Sequence, residues 1–199
     1  MALFRTVLWS LVAVFAAVLA WITFDLTRGD QTAEGPYGVA FELLNDDGEA
    51  ITQAALRDGT PTALFFGFTH CPDVCPTTLF ELDGWMNEVD PDGNDIKAFM
   101  VSVDPERDTT EVLDAYLGNV SERIGGITGD PAAVARMIEG FNIYARKVPL
   151  DEADPDGDYT MDHTASVFLL DGNGGFRSTI AYGENPETAI EKLRNLVEG

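Results

Sequence analysis

The sequence predicts an α/β fold in three layers, in which helices cover a central mixed sheet. A short apolar run at Thr62–Phe68, a helical pattern and a second strand at Ile96–Val103 form a β-α-β unit, and such a unit makes its two strands parallel. The Gly-rich turn 171–175 joins the strand patterns Ser166–Leu170 and Phe176–Tyr182, which predicts a hairpin. The sheet should therefore contain both parallel and antiparallel strands.

The remaining elements follow from local patterns. Val39–Leu44 and Ala50–Thr52 flank a polar turn that ends in Gly48, which indicates a first hairpin. The acidic stretch Asp151–Asp158 is expected to form a solvent-exposed loop, and Asp130 is placed to cap a helix. Four helices are predicted, at Pro76–Val89, Thr110–Leu117, Pro131–Phe141 and Pro186–Val197.

Composition limits the function classes. The chain has 199 residues, enough for one domain and a short accessory segment. Its 34 acidic and 12 basic residues give a formal charge of -22, which repels nucleic acid. We therefore expect no nucleic-acid partner, and we interpret the acidity as a well-solvated surface.

An apolar segment near the amino terminus predicts a membrane anchor. No charged residue interrupts Thr6–Phe24, and at about 1.5 Å per residue such a helix can cross a hydrocarbon layer of about 30 Å. Trp9 and Trp21 lie toward its two ends, where indole rings favour the membrane interface. Arg5 places positive charge before the segment, so residues 1–5 are expected in the cytoplasm.

These features divide the chain into an anchor at 6–24, a linker at 25–37 and a folded domain at 38–199. A cleaved signal peptide is the alternative, because Ala17–Ala20 offers small residues around a cut; the length of the apolar run favours the anchor. An Arg-rich transit peptide is absent, which favours a bacterial envelope. The expected location is the cell inner membrane, single-pass, with the domain in the periplasm.

The two cysteines, Cys71 and Cys75, stand where a strand passes into a helix. Residues four apart lie on one face of a helical turn, so both sulfurs can meet at one location. This spacing allows either a shared metal or a disulfide. A helix amino terminus favours thiolate over thiol, which assists metal binding and thiol exchange alike.

Only two histidines can complete such a site. His70 is adjacent to Cys71, but neighbours on a strand-to-helix turn usually diverge, so we expect it at the surface. His163 precedes the strand Ser166–Leu170, and a loop at the end of the sheet could bring it to the cysteines. Soft thiolates with an imidazole suit Cu(I). Spacing alone makes His163 only a weak candidate.

Four motifs occur in order along the chain: Phe-Gly-Phe-Thr-His-Cys-Pro-Asp-Val-Cys-Pro at Phe66–Pro76, Val-Ser-Val-Asp-Pro-Glu-Arg-Asp-Thr at Val101–Thr109, Gly-Ile-Thr-Gly at Gly126–Gly129, and Asp-His-Thr-Ala-Ser-Val-Phe-Leu-Leu-Asp at Asp162–Asp171. Through them, the chain from about Gly35 to its carboxyl end resembles the Sco/SenC family of copper chaperones. The resemblance implies a thioredoxin-like fold. It also implies a copper site formed by the CxxxC cysteines and a distant histidine, which fall on Cys71, Cys75 and His163.

The family role implied by the resemblance is the maturation of the dinuclear copper centre of cytochrome c oxidase. The expected function is thus a Cu(I) metallochaperone, with Cu(II) binding left open and with no enzymatic activity required. The expected partners are the copper-bearing oxidase subunit, other copper chaperones and thiol reductases. Asp73 matches an acidic position of the family, where it would contact a partner or tune a thiol; otherwise it is a helix amino-terminal charge.

Three other interpretations remain open. A membrane-anchored thiol–disulfide oxidoreductase would use the same cysteines as a redox-active pair and would tolerate loss of His163. A structural disulfide in a binding domain is less favoured, because cysteines four apart close a small loop and stabilise little. A zinc site is ranked low, because no acid–base partner adjoins the cysteines in sequence. Met161 offers a weak thioether, although such a residue more often packs in a core.

Overall fold

The computed structural model describes residues 37–154 and 157–198, together with Arg5, Thr6, Trp9, Phe15 and Val18. The predicted anchor at 6–24 and linker at 25–37 lie almost wholly outside these residues. Among the residues described, no helix is long and apolar enough to cross a membrane. The chain divides into two units, Met1–Glu34 and Gly35–Gly199, and the architecture below is that of the second.

The described part of this unit contains nine strands and four α-helices. The strands are β1 Glu42–Asn45, β2 Ala50–Thr52, β3 Thr62–Gly67, β4 Lys97–Ser102, β5 Ile124–Thr128, β6 Ala145–Pro149, β7 Tyr159–His163, β8 Ser166–Leu170 and β9 Phe176–Ala181. The helices are α1 Val74–Val89, α2 Thr110–Leu117, α3 Pro131–Gly140 and α4 Pro186–Glu198. A 3-10 helix at Gln53–Leu56 follows β2.

Seven of the strands form one mixed sheet in the order β2-β1-β5-β4-β3-β8-β9. Strands β3, β4 and β5 are parallel, whereas β1, β2, β8 and β9 pair antiparallel with their neighbours. All six residues of β3 are buried, as expected for an apolar strand covered on both sides. The predicted central position of this strand and the mixed sheet are confirmed.

Helices cover both faces of the sheet. Side chains alternate along β3, so Phe65 and Phe66 point to opposite faces. On one face, Gly67 allows close approach of the start of α1, since a Cβ there would lie 3.2 Å from Cys75 Sγ. On the other face, the ring of Phe66 packs against Phe141, at the end of α3, with centroids 5.6 Å apart. The predicted three-layer arrangement follows from this packing.

The predicted helices form with small changes at their ends. Helix α1 begins at Val74, two residues before the predicted start. Asp130 caps α3 as predicted, because its carboxylate accepts a hydrogen bond from the Ala133 N–H at 3.0 Å. Strand β1 begins at Glu42, three residues later than the pattern indicated.

Two parts of the fold were not predicted. Strand β5 inserts between β1 and β4, and it contains Gly125 and Gly126, which interrupt any apolar pattern. Gly126 makes room for α2, since a Cβ there would lie 2.5 Å from Leu113 Cδ2. Strands β6 and β7 form a separate antiparallel hairpin, and the acidic stretch 151–158 lies at its tip. The described residues of that stretch are mostly exposed, in agreement with the predicted loop.

Candidate metal centre

The loop between β3 and α1 carries Cys71, and the first turn of α1 carries Cys75. Cys75 is completely buried in the first turn of α1, whereas Cys71 is half-buried just before the helix. The backbone N–H of Cys75 donates to Cys71 Sγ at 3.3 Å, so the sulfur accepts from a free N–H group of the helix amino terminus. Both residues are free cysteines. The four-residue spacing therefore brings both side chains to the start of one helix, as predicted.

His163 meets the cysteines from the far part of the chain. It is the last residue of β7, not a loop residue as expected from the sequence. Its Nε2 lies 3.5 Å from Cys75 Sγ, and its Nδ1 lies 3.1 Å from the carbonyl oxygen of Thr164. Because a carbonyl oxygen only accepts hydrogen bonds, Nδ1 carries the proton and the lone pair of Nε2 faces the sulfur. The rings of Phe65 and Phe68 form T-shaped pairs with the imidazole ring, at centroid distances of 6.2 Å and 5.7 Å.

The two thiols differ in acidity. A hydrogen bond from Cys75 lowers the pKa of Cys71 to about 4, assisted by backbone N–H groups at the helix start. The same contact, together with burial, raises the pKa of Cys75 above its usual value. At neutral pH the metal-free site therefore holds one thiolate and one thiol.

Asp108 holds the loop that carries the cysteines through hydrogen bonds to Thr69. Its carboxylate is fully buried and accepts hydrogen bonds from the Thr69 N–H at 3.1 Å, the Thr69 hydroxyl at 2.6 Å and the Ser102 hydroxyl at 2.6 Å. Asp108 is not among the site residues predicted from the sequence. A usable signal existed, because the carboxyl ends of parallel strands meet at one edge of a sheet, and Asp108 follows β4 as the cysteines follow β3.

Three other candidates lie outside the contact between the cysteines and His163. The exposed His70 has its Nδ1 3.1 Å from the Thr69 hydroxyl, and among the described residues it makes no hydrogen bond to either sulfur. Asp73 is exposed at the N-cap of α1, where its carboxylate makes no capping hydrogen bond. Met161 packs against the hydrophobic core. His70 therefore lies at the surface, as predicted.

The spacing of Cys75 and His163 suits two ligands of one first-row metal ion. Metal–sulfur and metal–nitrogen distances of about 2.3 and 2.0 Å, at a tetrahedral angle, place the two ligand atoms about 3.5 Å apart. Within residues 37–154 and 157–198, no group of three His, Cys, Asp or Glu side chains is already arranged to hold a metal ion.

Comparison with known proteins decides the family. The SCO1/SenC family model matches residues 29–198. The chain belongs to the SCO1/SenC family. It is 31% identical over 158 residues to a SCO2-like protein of Rickettsia conorii, which covers 79% of this chain and 76% of the relative. It is 33% identical over 162 residues to Protein SCO2, mitochondrial, of Saccharomyces cerevisiae, which covers 81% of this chain and 53% of the relative.

Solved structures of the SCO1/SenC family share the fold. Bradyrhizobium japonicum ScoI with copper bound is 42% identical, with a TM-score of 0.72, over 80% of this chain and 99% of that one. Yeast Sco1 with copper bound is 28% identical, with a TM-score of 0.73, over 82% of this chain and 90% of that one. Against the first curated relatives, from yeast and Arabidopsis thaliana, this chain spans about half of their length (53% and 46%).

Proposed function

We propose that this SCO1/SenC protein is a copper metallochaperone that binds Cu(I) through Cys71, Cys75 and His163. The observation that carries the proposal is the 3.5 Å approach of His163 Nε2 to Cys75 Sγ, between residues 88 positions apart in sequence. Two structural relatives, from Bradyrhizobium japonicum and yeast, were solved with copper bound. Thiolate sulfur and imidazole nitrogen are ligands that suit Cu(I).

The proposed site is built for transfer as well as for binding. Cys71 is already a thiolate in the metal-free protein, and Cys75 becomes one when copper displaces its proton. Three ligands leave Cu(I) open on one side, so an acceptor thiolate can attack before the donor ligands leave. The proposed acceptor is the dinuclear copper centre of cytochrome c oxidase, as the family resemblance implies. The test mixes the copper-loaded chain with the oxidase domain that normally carries this centre, prepared without metal. If no copper centre forms in that domain, the delivery step is wrong.

We also propose that the domain works on the periplasmic side of the cell inner membrane. The support is the uninterrupted apolar run Thr6–Phe24, with Arg5 before it. A chain anchored in this way stays in the membrane pellet after alkaline carbonate washing, and its release into the supernatant would contradict the anchor.

Thiol–disulfide exchange is a second candidate, favoured by one observation. Exchange requires an attacking thiolate, and the low pKa of Cys71 supplies one at neutral pH. The partner would then be an oxidase subunit whose cysteines must be reduced before they accept copper. This activity needs both cysteines but not the imidazole, so a His163→Ala variant should retain it.

An anaerobic Cu(I) titration of the full chain against a chromophoric chelator tests the copper proposal. We expect about one Cu(I) per chain, and we expect His163→Ala to weaken binding by about tenfold or more, since it removes a ligand. His70→Ala is the matched control, because His70 is exposed and contacts Thr69 instead of the sulfurs. A His163→Ala variant that holds copper as tightly as the parent would count decisively against the site.

A further inference from the structure

One face of β7 meets the rest of the domain at three successive points. Every second residue of a strand shares a face, so Tyr159, Met161 and His163 point to the same side. On this side, Tyr159 contacts Asp104, Met161 packs against the hydrophobic core and His163 lies against Cys75. The candidate ligand is therefore the last contact of a strand whose first contact is Tyr159.

The β6–β7 hairpin is not tied to the main sheet by strand pairing. In the described part of the chain its two strands pair only with each other. Near the middle of β7, Met161 lines an open surface cleft of about 490 Å³ together with Val103 and Ile138. The contacts of Tyr159 and His163 at the two ends of β7, together with the core packing of Met161 between them, therefore hold the strand against the domain.

Tyr159 makes three kinds of contact at the first end. Its hydroxyl donates to Asp104 Oδ1 at 2.8 Å, and its carbonyl oxygen accepts from Arg107 Nη1 at 2.9 Å. The guanidinium carbon of Arg107 lies 3.8 Å from the ring centroid and Lys147 Nζ lies 4.6 Å from it, which are cation–π distances. Asp104 is buried two residues after β4, and Arg107 donates to it through Nε. The contacts thus fasten β7 to the central sheet.

We propose that Tyr159 is a positioning residue of the metal centre: by holding the first end of β7 against Asp104 and Arg107, it sets how His163 reaches the sulfurs. The proposal rests on the proposed function, because it requires His163 to bind copper. The five residues of β7, from Tyr159 to His163, are separated by four steps of about 3.3 Å, or about 13 Å in all, so a shift at one end is carried to the other. Cys71 and Cys75 belong to the start of α1 and to the loop before it, which are outside the hairpin.

The test compares Tyr159→Ala and Tyr159→Phe with the parent, as full chains in mild detergent. Amide hydrogen exchange of residues 159–163 is measured without metal, Cu(I) affinity by chelator competition, and the copper ligands by X-ray absorption. For Tyr159→Ala we expect faster exchange, affinity weaker by about 10–100-fold and loss of the nitrogen ligand with both sulfurs kept. Tyr159→Phe retains the ring contacts and should lose less. Tyr182→Ala is the control, because Tyr182 is exposed and is not one of the residues that contact Asp104 and Arg107; this variant should match the parent.

A Tyr159→Ala protein with parental affinity and an intact nitrogen ligand overturns the proposal. If that variant does not fold, Tyr159→Phe decides alone, because it removes only the hydroxyl hydrogen bond; exchange and affinity equal to the parent then overturn it. If the parent itself takes up no Cu(I), the proposed function is wrong. In that case the exchange measurement on metal-free protein still reports whether Tyr159 holds β7.

Discussion

Cys71 and Cys75 carry the same side chain in different surroundings. Cys71 is half-buried and accepts a hydrogen bond from the Cys75 N–H at the helix start, which favours its charged form. Cys75 donates its side-chain hydrogen bond to Cys71 and is fully buried, and both the hydrogen bond and the desolvation raise its pKa and favour its neutral form. The buried carboxylate of Asp108 adds to this effect, because its negative charge also raises the pKa of Cys75. The fold therefore assigns one sulfur to attack and keeps the other protonated.

This asymmetry predicts how alkylation depends on pH. Because the pKa of Cys71 is lowered to about 4, its thiolate persists as the pH falls. We expect iodoacetamide to modify Cys71 at a nearly constant rate from about pH 8 to about pH 5, whereas an ordinary thiol slows about tenfold per pH unit. Cys75 should stay unmodified. Mass spectrometry of the peptides gives both rates.

The urea-unfolded chain is the control for this experiment, since both cysteines should there follow the ordinary thiol dependence. A folded Cys71 whose rate falls tenfold for each unit below pH 8 would show that its surroundings do not stabilise the thiolate.

The carboxyl ends of β3, β4 and β5 meet at Asp108. Its carboxylate accepts from Thr69, which follows β3, and from Ser102, the last residue of β4. Its carbonyl oxygen accepts from the hydroxyl of Thr128, the last residue of β5, at 2.7 Å. One residue thus joins the ends of three neighbouring strands next to the loop that carries the cysteines.

Asp108→Ala should destabilise the domain strongly. The change removes the carboxylate acceptor and leaves the Thr69 and Ser102 hydroxyls without it, so we expect a loss of about 3 kcal/mol in the free energy of unfolding. Urea denaturation at neutral pH, followed by tryptophan fluorescence, measures it. Asp114→Ala, at an exposed position on α2, is the matched control and should change stability by less than about 0.5 kcal/mol. Equal stabilities of the two variants would show that the Asp108 junction contributes little.

Whether an element could be predicted from the sequence depended on where its stability originates. Strand β3 is apolar throughout and was recognisable by itself. Strand β5 contains Gly125 and Gly126, and β6 contains Arg146 and Lys147, so neither shows a strand pattern. Their conformation comes from tertiary position: β5 fills the place between β1 and β4, and β6 pairs with β7.

The same distinction applies to the candidate site. Cys71 and Cys75 could be paired from their spacing, because a helical turn relates residues four apart. His163 is 88 residues from Cys75; its position before β8 made it only a weak candidate, and the family resemblance selected it. Asp108 and Tyr159 stand within or near the quoted motifs, but their roles depend on contacts that no local pattern encodes.

At the scale of the whole molecule, acidic residues outnumber basic ones by 34 to 12. Several described cations pair with one carboxylate each, as Arg123 does with Asp90 and Lys97 with Asp58. Because cations are so few, most of the described carboxylates have no cationic partner. Like charges on a compact surface repel one another and favour the expanded chain. The net charge therefore opposes folding, and the burial of the hydrophobic core between the sheet and its helices must outweigh that repulsion.

Salt should consequently stabilise this protein. Raising NaCl from about 10 mM to about 1 M shortens the screening length from about 30 Å to about 3 Å, which weakens repulsion between separated carboxylates. At pH 7 we expect the free energy of unfolding to rise by about 1 kcal/mol, which moves the Tm by about 2–4 °C for a chain of this size. Thermal unfolding followed by circular dichroism measures the shift. The control is the same salt step near pH 4.5, close to the sequence pI of about 4.1, where the net charge is small and the shift should nearly vanish. An equal shift at both pH values would mean that salt acts by a route other than the acidic surface.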